Sequence, residues 1–104
     1  MINHIRMGIY KITQGSYEEF VDLARQRMAP FNRDSPGFVS YSLTDVGGGR
    51  FMSVTIWETR EQAEAATSMS AEWIRSTNLA DSVVLEENVI GEMTTLAAID
   101  RRAV

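Results

Sequence analysis

The chain contains no cysteine, which excludes disulfides, thiolate metal sites, iron–sulfur clusters and cysteine nucleophiles together. Histidine is nearly absent too. His4 stands alone, and one imidazole without clustered carboxylates or thiolates is a poor metal ligand, so no metal is expected. No apolar run approaches the ~20 residues that would span a bilayer, and no membrane partner is expected. The opening MINHIRMGIYK has no apolar stretch leading to a small-residue cleavage site, which makes the cytoplasm the default location. Basic residues are outnumbered, 10 against 14, for a net charge of −4. They are also scattered, so the chain lacks the basic footprint of a nucleic-acid binder. There is no Gly-x-Ser-x-Gly elbow, repeat, linker or low-complexity segment.

What is present is the composition of one globular domain: 104 residues, 44% hydrophobic and 23% charged. The core is expected over about residues 5–97, with residues 98–104 as a tail. IRMGIYKI, from Ile5 to Ile12, alternates as a strand. Ser16-Tyr17-Glu18-Glu19 fits a capping box, and Phe20, Val21, Ala24, Met28 and Phe31 then recur at helical spacing, with Pro30 expected to kink or shorten the last turn. After Ser35-Pro36-Gly37, FVSYSLT alternates again, with Tyr41 opposite in facing to Phe38. Asp45-Val46-Gly47-Gly48-Gly49 supplies a hairpin turn. FMSVTIW follows as a third strand, and Thr59-Arg60-Glu61-Gln62 as a second capping box. The second helix carries Ala63, Ala66, Met69 and Trp73, with a break expected at Ser68-Met69-Ser70 and a short helical segment through Trp73, Ile74 and Leu79. Val89 to Leu96 is the expected last strand, Gly91 marking a bulge or a close approach. The order strand, helix, strand, strand, helix, strand implies an α+β, ferredoxin-like βαββαβ sandwich.

Two helices cover one sheet face and leave the other bare. The face carrying Met7, Ile9, Val39, Leu43, Met52, Val54 and Ile56 is the more uniformly apolar and is assigned to the helices. The other carries Arg6, Tyr10, Phe38, Ser40, Ser42, Phe51, Ser53, Thr55 and Trp57. It is too aromatic for open water and too polar for a dry core, so it is expected to meet a second copy around a ligand cavity.

Ser35-Pro36-Gly37-Phe38, then Tyr41, then Trp57-Glu58-Thr59-Arg60-Glu61-Gln62-Ala63 resembles the antibiotic biosynthesis monooxygenase family of dimeric α/β barrels, over about Ile5 to Leu96. The resemblance implies a homodimer formed through sheet faces. It also implies kinship with cofactor-independent oxygenases of phenolic polycycles or quinols and with haem-degrading enzymes. Trp57 matches the family's strand-end tryptophan beside the substrate. Ser53 stands where the polyketide oxygenases carry an asparagine, and Arg75 lies near the place of a functional arginine. Between Arg60 and Val84 there is no histidine where haem-degrading members carry their axial ligand, so no haem or other cofactor is expected.

The candidate catalytic residues are therefore Trp57, Tyr10 and Ser53, as a ring wall and two hydroxyl donors. Arg6, Phe38, Phe51, Thr55 and Arg75 are the candidate binders of a small aromatic molecule. Two alternatives stay open at several of them. Trp57 is either a ligand wall or a core ring, Arg6 a counter-charge or half of an intersubunit ion pair, and His4 a general base or a solvated strand end. Two functions match the pattern: a cofactor-independent monooxygenase of a small phenolic or quinol-like substrate, and a non-catalytic small-ligand-binding or stress-associated homodimer.

Overall fold

The alternating segments pair into one four-stranded antiparallel sheet in the computed structural model, which describes residues 2–77, 79 and 81–98. The elements are β1 (Asn3–Ile12), α1 (Tyr17–Leu23), a π-helical turn (Ala24–Met28), α2 (Ala29–Arg33), β2 (Phe38–Gly47), β3 (Arg50–Trp57), α3 (Arg60–Ser76) and β4 (Val83–Met93). The strand order is β2-β3-β1-β4. This is the α+β, ferredoxin-like arrangement that the order of elements implied. All but the first residue of the expected tail lies outside the described residues.

Both helix starts are held by local chemistry. The Ser16 hydroxyl accepts from the Glu19 amide at 3.3 Å. At α3 both halves of the capping box form: Gln62 N–H donates to Thr59 Oγ1 at 3.2 Å, and Thr59 N–H to Gln62 Oε1 at 3.1 Å. Gly37, with φ of 77°, sits against that same Gln62 side chain, where no Cβ would fit.

Several boundaries differ from expectation. Pro30 does not shorten its helix. The Ala29 amide bonds back five residues to the Ala24 carbonyl, and this wider turn precedes the ring that a regular α-turn would press against a carbonyl. α3 runs unbroken through Ser68-Met69-Ser70 and stops before Leu79, because Ser70 belongs to the same buried stripe as Ala63 and Ala66. β4 begins at Val83, before the expected Val89. Its bulge falls at Glu86, where pairing passes from Ile9↔Glu87 to Tyr10↔Leu85. Gly91 pairs regularly with Ile5 and meets no close backbone.

The larger correction concerns the faces. The helices cover the mixed face, burying Arg6, Tyr10, Phe51, Ser53, Thr55 and Trp57. Phe20 of α1 closes on Tyr10, Phe51 and Val83, while Ala63 and Ala66 of α3 pack on Trp57. Ile5, Met7, Ile9, Met52, Val54 and Ile56 lie on the bare side, beside exposed Val84 and Val89. Uniform apolarity was the wrong criterion for the covered face. Rings carry the greatest buried area per residue and bridge the gap between sheet and helix, whereas short aliphatic chains leave a flat, dry surface. The mixed face therefore cannot be the surface between two copies.

Candidate functional site

Alternation along β1 sets Arg6, Gly8 and Tyr10 on the helix side. Residues four apart on a strand are separated by roughly 13 Å, so Arg6 reaches Tyr10 only by lying along the strand. It does so over Gly8, where an added Cβ would stand 2.8 Å from Arg6 Nη2. Nη2 donates to the Tyr10 hydroxyl at 2.9 Å, Nε to Asn88 Oδ1 at 2.7 Å, and Nη1 lies 3.5 Å from Ser70 Oγ. Asn88 in turn donates to Thr67 Oγ1 at 3.3 Å. The guanidinium carbon also sits 5.7 Å from the centre of the Tyr10 ring.

Arg6 is 1% exposed. Among the described residues the ion pairs join Arg25 to Asp22, Arg50 to Glu86, Arg60 to Glu64 and Arg75 to Glu72; none involves Arg6. A buried cation held only by neutral acceptors is costly, because amide and hydroxyl oxygens return only part of its hydration energy.

Beside this cluster lies a cavity of about 30 Å³ between sheet and helices. Tyr10, Phe51 and Ser53 form its floor with Tyr41 of β2, and Ala24, Met28, Ser70 and Trp73 contribute to its roof. The lining residues with polar side-chain groups are Tyr10, Tyr41, Ser53 and Ser70, each with a hydroxyl, and Trp73 with its indole N–H, set in an apolar wall. Burial, reinforced by Tyr10, pushes the Tyr41 hydroxyl up to about 12, against smaller opposing pulls from Ser53 and Arg6. Past Met28 and Trp73, a wider groove of about 440 Å³ opens between the helices, lined also by Arg27, Phe31, Met69, Glu72 and Ser76. The Trp73 indole N–H is buried without a partner.

The structure gathers Tyr10, Ser53 and Phe51 around the cavity, with Arg6 behind Tyr10 and Ser70. It separates the other candidates. Trp57 is packed in the neighbouring core cluster, edge-on to Phe38 at 5.7 Å, and neither ring lines the cavity. Thr55 is buried nearby, its hydroxyl unpartnered. Arg75 is exposed beside Glu72 at 3.9 Å and lines neither space. His4 lies opposite Trp57 at the far end of the sheet, its Nδ1 buried without a partner.

Four participants went unread in the sequence. Tyr41 was set apart from Ser53 because strict alternation was assumed along β2. A bulge at Val39 lets Phe38 pair with Trp57 while Tyr41 pairs with Thr55, bringing both rings to the helix side. Ser70 and Trp73 were legible, since they continue the α3 stripe of Ala63 and Ala66. Asn88 was not, because it precedes the expected start of the last strand at Val89, whereas β4 begins at Val83 and pairs Asn88 regularly with Gly8.

Among the described residues no three His, Cys, Asp or Glu side chains gather as a metal site, and no helix is long and apolar enough to cross a membrane. No curated protein sequence matches the chain. Solved structures share its fold. SnoaB, a cofactor-independent oxygenase from Streptomyces nogalater, is 17% identical with a TM-score of 0.63, covering 95% of this chain and 98% of that one. A monooxygenase from the gene ActVA-Orf6 of Streptomyces coelicolor, in complex with nanaomycin D, is 24% identical with a TM-score of 0.61, over 94% and 91%. The heme-degrader MhuD from Mycobacterium tuberculosis, with two hemes in its active site, is 21% identical with a TM-score of 0.60, over 93% and 99%. Residues 4–85 match the sequence profile described as antibiotic biosynthesis monooxygenase. The chain therefore belongs to the antibiotic biosynthesis monooxygenase family.

Proposed function

We propose that the protein is a cofactor-independent monooxygenase of a small phenolic or quinol-like substrate, bound between the sheet and helices of each subunit of a homodimer. The observation that carries this reading is the hydroxyl-lined apolar cavity with a buried guanidinium behind it. Family membership and a fold neighbour that is a cofactor-independent oxygenase support it. The α3 helix holds no histidine to serve as an axial haem ligand, which counts against the haem-degrading chemistry of another neighbour.

Arg6 has only donors, so Tyr10 must accept from it and keeps its own proton free to donate. Tyr10 and Ser53 would hold a substrate oxygen, and Phe51 would lie along the ring. In a substrate with a methylene activated by a phenolic ring system, loss of a proton leaves a carbanion that passes an electron to dioxygen. One oxygen atom becomes the new carbonyl and the other leaves as water. All four electrons come from the methylene carbon, so no external reductant is needed. The protein's share is desolvation, orientation and stabilisation of the oxyanion.

The partner surface in this reading is the aliphatic face of Ile5, Met7, Ile9, Met52, Val54 and Ile56, which one subunit leaves uncovered. A second reading, small-ligand binding without turnover, is favoured by one observation: Trp57 lies outside the cavity. Oxygen uptake with anthrones and hydroquinones separates the two. The wild type should consume oxygen in step with substrate loss, and Tyr10→Phe should lower the rate on the order of 10- to 100-fold. Uptake equal to that in buffer across the panel rejects the oxygenase.

A further inference from the structure

We infer that the cavity takes its ligand as a ready-formed oxyanion, an ionised phenol or enol, and that Arg6 is the positioning residue that selects this form through Tyr10. The inference deepens the oxygenase reading and rests on it for the location of the site. Its first support is the charge inventory around the cavity. From β1 come Arg6 and Tyr10, and from β2 Tyr41; β3 contributes the neutral Ser53. On the helices, Arg27 and Glu72 open to the outer groove. His4 and exposed Glu92 are paired at the far end of β1 and β4, outside the lining. The lining thus carries hydroxyl-bearing side chains and no carboxylate or imidazole to take a proton, and the one buried cation stands behind Tyr10.

The second support is the direction of the hydrogen bonds. Nη2 donates to Tyr10, and Tyr10 can then donate onward. A chain of donors ending in a cavity calls for an acceptor there, and an oxyanion is the strongest one. The third is how firmly the cation is fixed. Asn88 and Ser70 hold the other guanidinium nitrogens, and Gly8 leaves the path clear. An anionic ligand oxygen would supply the counter-charge that the described residues lack.

It follows that the protein does not deprotonate its substrate with a side-chain base. The phenol or enol loses its proton to water, and the site lowers that group's pKa by binding its anion more tightly. Neutral ethers of the same shape should be rejected. The ring would enter from the outer groove once Met28, an unbranched and adaptable side chain, turns aside.

The test uses 4-nitrophenol, whose ionised form is coloured and which does not react with dioxygen. It is titrated over about pH 5 to 9, free and with excess protein. A tenfold preference for the phenolate lowers the bound pKa by about one unit. Arg6→Met should abolish the shift, Arg6→Lys should retain part of it, and 4-nitroanisole should not compete. Should Arg6→Met not fold, Arg6→Lys and Tyr10→Phe must still reduce the shift. A bound pKa equal to or above the free value, a shift untouched by these substitutions, or no binding at millimolar probe overturns the inference. A lowered pKa without oxygen uptake by any substrate would sink the oxygenase reading and leave oxyanion binding standing. Oxygen uptake without a lowered pKa would do the reverse.

Discussion

Arg6 Nη2 lies 2.9 Å from the Tyr10 hydroxyl, and its guanidinium crosses the space that a side chain at residue 8 would fill. Gly8→Ala would place a Cβ 2.8 Å from Nη2 and 3.0 Å from a Tyr10 ring carbon. Overpacking of this kind costs about 1–3 kcal/mol. The expected outcome is a folded variant whose unfolding free energy from urea denaturation is lowered by that amount, with a weakened pKa shift for bound 4-nitrophenol. A wild-type midpoint together with a wild-type shift would show that the guanidinium does not need this path.

Tyr41 provides a pH signature of the cavity. Its hydroxyl is raised from 10.0 to about 12, chiefly by burial. Because the folded pKa lies above the unfolded one, the neutral form's contribution to stability is complete below about pH 10 and is lost as pH climbs toward 12. Two units correspond to at most about 2.7 kcal/mol, and the ring's partial exposure reduces this to about 2. Denaturation at pH 9 and pH 11.5 should show a steep loss in the wild type and a shallower one in Tyr41→Phe. Equal slopes would mean that Tyr41 titrates as in water.

The order of elements, both capping signals and the triple-glycine hairpin could all be read in the sequence, because each rests on chemistry within a few residues. Gly47, Gly48 and Gly49 all have positive φ, as the turn between β2 and β3 requires. Facing was harder to read. It passes along a strand only until a bulge intervenes, and the bulge at Val39 brings Phe38 and Tyr41 to one side, while Asn88 lies one residue before the expected start of its strand. The choice of covered face went wrong for a different reason. Tyr10, Phe51 and Trp57 were treated as too polar in company to form a core, yet their rings fill the space beneath the helices while Arg6 and Ser53 supply polarity at one place. Alternation puts Arg6 and Tyr10 on one face, but their direct bond is not legible in it, since that bond depends on the missing side chain at Gly8.

The uncovered aliphatic face makes the assembly testable independently of chemistry. Val54 sits on β3, an inner strand, flanked across the sheet by Met7 and Ser42. A stable interface there should bury at least roughly 1,200 Å² in total. Sedimentation should find the wild type as a dimer and Val54→Lys as a monomer, because the ammonium would be stranded without a counter-charge among aliphatic groups. A dimeric Val54→Lys would place the interface elsewhere.

Met28 lines both the inner cavity and the outer groove, as Trp73 does. The inner space of about 30 Å³ is water-sized, whereas an engineered cavity needs on the order of 150 Å³ to hold benzene. Any ring must therefore displace part of the wall, and Met28 ends the π-helical turn where the backbone already departs from regular geometry. Met28→Ala should remove that wall and join the two spaces, at a stability cost of about 2–5 kcal/mol. In a Trp57→Phe background, which leaves Trp73 as the only indole, stopped-flow fluorescence should show association with 4-nitrophenol accelerated at least about tenfold, a barrier lowered by about 1.4 kcal/mol. A two-ring phenol should gain more than the single ring does, since it spans the opened cavity and groove. Unchanged association with both probes would show that the ligand enters by a route that avoids Met28.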